Sequence, residues 1–352
     1  MLWFDLDNSP HVPLFRPILA ELDRRGIENI VTGRDHAQTV DLLRLWKIPH
    51  TVVGAHAGKS STKKVINLIG RACQLAGTVR GLPVRLAVSH GSRTQVVASW
   101  YRRFPSVVML DYEYTEHRIF NNLGTWLLMP AMIPDERLRA AGFNLRKVIR
   151  YHGFKEEVYL EDFVPAKQFR QQLGVDEDKT LVIVRPPSTT GNYHDERSES
   201  LFRKCVEHCS ADPNAHVLIV NRTKQETDLF SSTLKKKNVR VLEGTVDGLQ
   251  LLWHSDVVVS GGGTMNREAA LLGVPTYSIF TGKRPYLDEL LQEQGKLRFV
   301  ESTSDVETIP VVKRTLPGHY SATNKGIVKS VVQQLIDLKG RSAHTRGFVG
   351  NR

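Results

Sequence analysis

Cysteine is scarce in this chain of 352 residues, which holds only Cys73, Cys205 and Cys209. Three thiols cannot build a disulfide framework, and a lone Cys-x3-Cys spacing is a poor metal signal. No window approaches the roughly 18 apolar residues of a membrane-spanning helix. No HExxH, paired-cysteine or EF-hand pattern occurs, so no protein-bound metal is expected. Low-complexity blocks and internal repeats are also missing, which excludes fibres and solenoids. The chain opens Met1-Leu2-Trp3-Phe4-Asp5, strand-like and without a basic leader, so a cytoplasmic location is expected.

Acidic residues are missing from one long stretch. No Asp or Glu lies between Asp41 and Asp111, whereas eleven Lys and Arg do, in a chain of net charge +11. Such a field attracts phosphates, nucleic acid or an anionic membrane surface; a merely solubilising surface is the alternative. No aromatic stacking motif or nucleic-acid module accompanies it, which argues against nucleic acid. Within the stretch, Thr62–Leu82 carries Val65, Leu68, Ile69, Ala72, Cys73, Ala76 and Val79 at helical spacing. Lys64, Asn67, Arg71, Gln74 and Thr78 fall opposite them. This reads as a basic amphipathic helix, its apolar side on a sheet and its basic side toward water or, weakly, an anionic membrane.

Hydrophobic residues make up 41% of the chain and charged residues 24%, the balance of a globular protein rather than a disordered one. Short apolar runs alternate with amphipathic stretches, the pattern of βαβ units and parallel sheets. The pattern runs to about residue 160 and then restarts. The expected architecture is α/β, with two Rossmann-like domains at 1–160 and 161–322 facing across a cleft. A C-terminal helix at 323–339 is expected to return to the first domain, and 340–352 to form a mobile tail. In open parallel sheets, ligands bind beyond the carboxyl ends of the strands.

The strongest local signal is Asp256-Val257-Val258-Val259-Ser260-Gly261-Gly262-Gly263-Thr264. A β-branched run enters three glycines, and a helix opens near Thr264. Close-approaching backbone N–H groups and a helix amino terminus together suit a phosphate. Neither a P-loop nor Gly-x-Gly-x-x-Gly fits. Glu268 lies one helical turn further on, in reach of two ribose hydroxyls.

Glu268-Ala269-Ala270-Leu271-Leu272-Gly273-Val274-Pro275 after this loop resembles the nucleotide-sugar site of GT-B enzymes. It is most similar to the UDP-N-acetylglucosamine 2-epimerases and the N-acetylglucosaminyltransferase that forms lipid II. The resemblance implies a GT-B-like fold, with Gly261, Gly262, Gly263 and Thr264 at the phosphates and Glu268 at the ribose. The whole chain also resembles a bacterial and archaeal family of GT-B-like proteins, a domain of unknown function.

Other strand ends carry polar clusters. Asp7, Asn8, Ser9, His11 and Arg16 follow the first strand, with His11 a candidate general base and Asp7 its companion. That loop is similar to the acceptor loop of the lipid II-forming transferase, without its glycines. His90-Gly91-Ser92 follows the fourth strand, where the 2-epimerases carry His-Gly-Asp. Asp111 and Glu113 follow the fifth. Asp7, His11, Asp111 and Glu113 are therefore the candidate catalytic residues, and Asn8, Ser9, Arg16 and His90 the candidate acceptor-side residues. In the second half, Arg185 and Ser188 are candidates for a pyrophosphate, Lys283 and Arg284 for closing over it, and Asp288 for sugar hydroxyls.

The resulting expectation is a metal-independent, nucleotide-sugar-dependent glycosyltransferase of glycan or polysaccharide biosynthesis. Its substrate would be a UDP-linked sugar, with no tightly bound cofactor. Its acceptor would be anionic or lipid-linked, with peripheral contact at the inner face of the membrane. A UDP-sugar 2-epimerase or hydrolase on the same scaffold, and a non-catalytic basic binding protein, are the alternatives.

Overall fold

The computed structural model describes residues 1–55, 61–187, 196–221, 236–244 and 246–347. The chain divides into two compact units, Met1–Glu161 with Thr323–Arg352, and Asp162–Ala322.

In the first unit strands and helices alternate: β1 (Leu2–Leu6), α1 (His11–Arg24), β2 (Asn29–Asp35), α2 (Thr39–Leu45), β3 (Thr51–Ala55), α3 (Ser61–Thr78), β4 (Leu86–His90), α4 (Arg93–Tyr101), β5 (Ser106–Met109), α5 (Arg118–Leu123), β6 (Trp126–Pro130), α6 (Asp135–Ala140), β7 (Val148–Tyr151) and α7 (Lys155–Leu160). Among the described residues they form a seven-stranded sheet in the order β3-β2-β1-β4-β5-β6-β7, with every pairing parallel. Strand β1 is buried along its whole length, as a central strand covered on both faces must be. Gly26 ends α1 in the left-handed region, φ +66°, where a glycine cap is favoured.

The second unit repeats the scheme with α8 (Phe169–Gln172), β8 (Thr180–Arg185), α9 (Glu196–Cys209), β9 (Ala215–Ile219), β10 (Val239–Val241), α10 (Gly248–Trp253), β11 (Val257–Ser260), α11 (Thr264–Leu271), β12 (Thr276–Ser278), α12 (Tyr286–Glu293), β13 (Arg298–Phe299) and α13 (Thr303–Glu307). Among the described residues its six strands run parallel in the order β10-β9-β8-β11-β12-β13. The core gathers Val182, Val184, Phe202, Val206, Val217 and Val259. Asp256 is fully buried at the foot of β11, where it meets Arg170 at 2.6 Å and accepts from the N–H groups of Leu181 and Arg314. A helix expected over Lys224–Lys237 falls almost wholly outside the described residues.

Helix α14 (Ile327–Gly347) belongs to the first unit. Glu161 accepts from the N–H groups of Gly326 and Val328 at its start, and Gln334 donates to the carbonyl of Arg150. Gly153 (φ +125°) is enclosed by this returning segment: a Cβ there would run into Asn324, Glu157 and Ile327. The helix passes Lys339 and continues to Gly347, into the stretch expected as a tail. The apolar spacing ends at Leu338, but the main-chain ladder continues through residues that tolerate a helix.

Helix α3 departs from the face assigned by spacing. Ile66 and Ile69 are exposed, at 69% and 55%, and Cys73 is exposed, whereas Arg71 is buried beside Ala72, Leu75, Ala76 and Val79. The helix is rotated from the expected setting because Arg71 has a buried acid to meet.

Candidate active site

In each sheet the strand order reverses beside the first strand of its unit: between β1 and β4 in one, between β8 and β11 in the other. Crevices at such reversals are where open α/β sheets bind ligands.

The floor of the first crevice is Asp5, fully buried. Its two oxygens receive both terminal nitrogens of Arg71 at 2.8 and 2.9 Å, Thr32 Oγ1 at 2.7 Å and Ser92 Oγ at 2.6 Å. Arg71 also donates to the carbonyl of Val53 and to Thr94. A buried carboxylate is tolerable only when its lone pairs are met in this way. Ser92 in addition caps α4, accepting from Gln95 N. The residue standing where the 2-epimerases carry an acid therefore has a structural task, and sequence reasoning had no means of seeing Arg71 as its companion.

Four candidates gather above this floor. His11 Nδ1 lies 3.2 Å from Asp7 Oδ1. Burial raises the Asp7 carboxyl pKa, but contact with His11 and the charges of His11, Arg71 and Arg34 outweigh it and bring the value down to about 2. The His11 ring packs on that of His90, with centroids 4.9 Å apart. His90 Nε2 is 3.1 Å from Asp111 Oδ1, and Lys155 pairs with Asp111 Oδ2. Burial and the Lys155 charge lower His90 to about 4, against the opposing pull of Asp111. Glu156 Oε1 stands 3.6 Å from Lys155, and Glu113 is fully buried. Lys155 and Glu156 were not anticipated; the signal was a polar pair just past the last strand.

The remaining acceptor-side candidates are built into the loop. Asn8 Oδ1 accepts from Ser9 N, and Ser9 Oγ accepts from Gln38 N after β2. No side chain caps α1. Arg16 lies exposed over the Trp46 ring, 4.9 Å from its centroid, and does not join the cluster.

In the second unit Gly261 N donates to the carbonyl of Arg185, joining the ends of β11 and β8. A Cβ at Gly261 would stand 2.5 Å from Pro187 Cα, and one at Gly262 would stand 2.8 Å from the Phe280 ring. Packing thus demands glycine at both positions, in addition to the tight turn and close backbone approach expected of the loop. Gly263 is exposed at φ +86° and opens α11 with no side-chain cap, so the amino-terminal N–H groups of Thr264 and Met265 face outward from the helix. Glu268 is half-buried one turn on.

The other second-unit candidates have local partners. Asp288 is buried and paired with Arg267 at 2.5 Å, an assignment to the fold rather than to sugar hydroxyls. Arg284 lies 4.2 Å over Phe299 and pairs with Glu301. Lys283 is exposed. Ser188 lies outside the described residues. Among the described residues no group of three or more His, Cys, Asp or Glu is placed to hold a metal ion, and no helix is long and apolar enough to cross a membrane.

Known proteins share this architecture. The chain is 24% identical over 317 residues to the uncharacterized protein MJ0665 of Methanocaldococcus jannaschii, covering 88% of this chain and 89% of that one. Its structure is similar to UDP-GlcNAc 2-epimerase from Neisseria meningitidis bound to UDP-GlcNAc, with TM-score 0.72 and 16% identity over 96% of this chain and 99% of that one. It is also similar to Anabaena Alr3699/HepE in complex with UDP and glucose, with TM-score 0.59 and 16% identity over 98% and 99%. The fold is therefore GT-B-like in its two Rossmann-like units. A family model matches residues 1–338, and the chain accordingly belongs to DUF354, a family described as protein of unknown function.

Proposed function

We propose that the protein transfers a sugar from a nucleoside diphosphate, UDP in the first instance, to a hydroxyl acceptor. The observation that carries this reading is the Asp7–His11 pair against His90–Asp111 at the carboxyl ends of β1, β4 and β5. Histidine beside a persistent carboxylate is suited to taking a hydroxyl proton near neutral pH. The acceptor oxygen bonds to the anomeric carbon, the bond from that carbon to the diphosphate oxygen breaks, and the hydroxyl proton passes to His11. Taken by itself, the second unit offers the amino terminus of α11, Arg185 and Lys283 to a diphosphate and Glu268 to a ribose. The UDP and UDP-GlcNAc in the complexes of similar fold support the choice of nucleotide.

The acid-free stretch supports an anionic acceptor, such as a lipid-linked phosphate met at a membrane surface. Arg71 does not count toward that surface, since Asp5 holds it.

A second reading is favoured by the carboxylates around Lys155. Asp111 and Glu156 flank Lys155, Glu113 is buried two residues past Asp111, and 2-epimerisation needs groups that remove and return a proton at C2.

Calorimetric titration with UDP and a panel of nucleotide sugars, followed by product analysis, tests both. The wild type should bind at least one member, and Glu268→Ala should weaken that binding by about 1.5–3 kcal/mol. His11→Ala should keep the affinity while turnover falls about 10²–10⁴-fold. No binding to any member overturns the proposal. Solvent deuterium appearing at C2 of the sugar would select the epimerase reading.

A further inference from the structure

The two stacked histidines of the cluster, His11 and His90, have different surroundings. His11 faces Asp7 at 3.2 Å, and the charges of Arg71 and Arg34 also act on that carboxylate. His90 faces Asp111, and Asp111 is held on its other oxygen by Lys155, itself 7% exposed. The charged and titratable groups about His90 are Asp111 after β5, Lys155 on α7 with Glu156 beside it, and His11 with Asp7 from the β1–α1 loop; Glu113 is buried two residues beyond Asp111. A carboxylate already neutralised by an ammonium group offers a histidine an acceptor oxygen but little net negative charge. A neutral imidazole 3.1 Å from that ionised oxygen must donate from Nε2, which leaves Nδ1 as an unprotonated acceptor.

We propose that Lys155 is a positioning residue that acts through Asp111 to keep His90 uncharged, with Nε2–H on Asp111 and Nδ1 offered to a substrate hydroxyl. His11 and His90 then form a pair of unlike character: one exchanges the proton, and its neighbour orients the group that loses it. The roles given to substrate rest on the proposed sugar chemistry, whereas the control of His90 by Lys155 can be read without any substrate. The low proton affinity of His90, caused by burial and Lys155, agrees with this arrangement.

The test is a pH titration of the full chain labelled with ¹⁵N-histidine, followed by NMR, with His90→Gln supplying the assignment. In the wild type His90 should show the Nε2-protonated neutral tautomer and remain neutral down to about pH 5. Lys155→Gln should raise its midpoint by about one to two pH units, while Lys155→Arg keeps it near the wild-type position. With a turned-over nucleotide sugar, Lys155→Gln should move the acid limb of the rate profile by the same amount. An unchanged midpoint in Lys155→Gln, or an Nδ1-protonated neutral tautomer in the wild type, overturns the inference. The tautomer is read on the wild type alone, so a poorly folding variant does not block the decision. Absence of any sugar-nucleotide binding would overturn the proposed function and leave the titration result standing.

Discussion

His90 and Asp7 bind protons differently in the folded and unfolded chain, and both make acid destabilising. His90 has a folded pKa of about 4 against an ordinary 6.5, so between these values the unfolded chain takes up a proton that the native one refuses. Stability falls as pH drops from 6.5 to 4 and this contribution flattens below, a change on the order of 3 kcal/mol. Asp7 has a folded pKa of about 2 against an ordinary 3.8, so its contribution is complete above 3.8 and lost as pH falls through 2. Denaturant melts between pH 6.5 and 4.5 should therefore show a midpoint that declines with acid, and His90→Gln should remove about one proton from that dependence. An identical slope in the variant would contradict the assignment. Asp7, His11, His90 and Asp111 were legible in the sequence because each sits in a polar run directly after a short apolar one. Lys155 and Arg71 were not. Lys155 opens a helix too short to show a period, and the partner of Arg71 lies 66 residues away in sequence. Helical spacing placed Arg71 with the polar residues, and only the buried Asp5 explains why it faces inward.

At the scale of elements, the strands were the most legible. Short apolar runs between amphipathic stretches marked each of the thirteen described strands, the seventh least sharply. Helices α5, α7 and α13, of five or six residues each, were missed. The turn from β11 to α11 was found for half of the right reason. Its glycines do precede a helix amino terminus, but two of them are fixed by Pro187 and Phe280. Gly261→Ala would push the added methyl into Pro187 and strain the Gly261–Arg185 hydrogen bond, costing about 1–3 kcal/mol. The ends of β8 and β11 should separate as a result, so affinity for nucleotide should fall with stability. Thermal melting with and without UDP checks this. A stable Gly261→Ala protein with unaltered UDP affinity would show that the close approach is not needed.

For the whole molecule, the first unit is assembled from two pieces of chain, residues 1–161 and the segment from Thr323 onward. Helix α14 contributes Ile327, Val331, Val332, Leu335 and Leu338, each at most 3% exposed. Burial of such side chains stabilises by about 1.5–3 kcal/mol apiece, a sum comparable with the entire stability of an ordinary domain. A protein ending at Ala322 should therefore lose protease resistance across residues 1–161 while the second unit keeps its own; equal resistance of the first unit in both forms would refute this. The division also sets an order on synthesis. A ribosome releases residues 1–161 first, yet their sheet stays without its last covering helix until nearly the whole polypeptide has been made. The second unit, continuous from Asp162 to Ala322, has everything it needs earlier. During that interval α1 and α7 would expose apolar surface of the kind that chaperones bind, and Gly153 must remain open for a segment translated some 170 residues later.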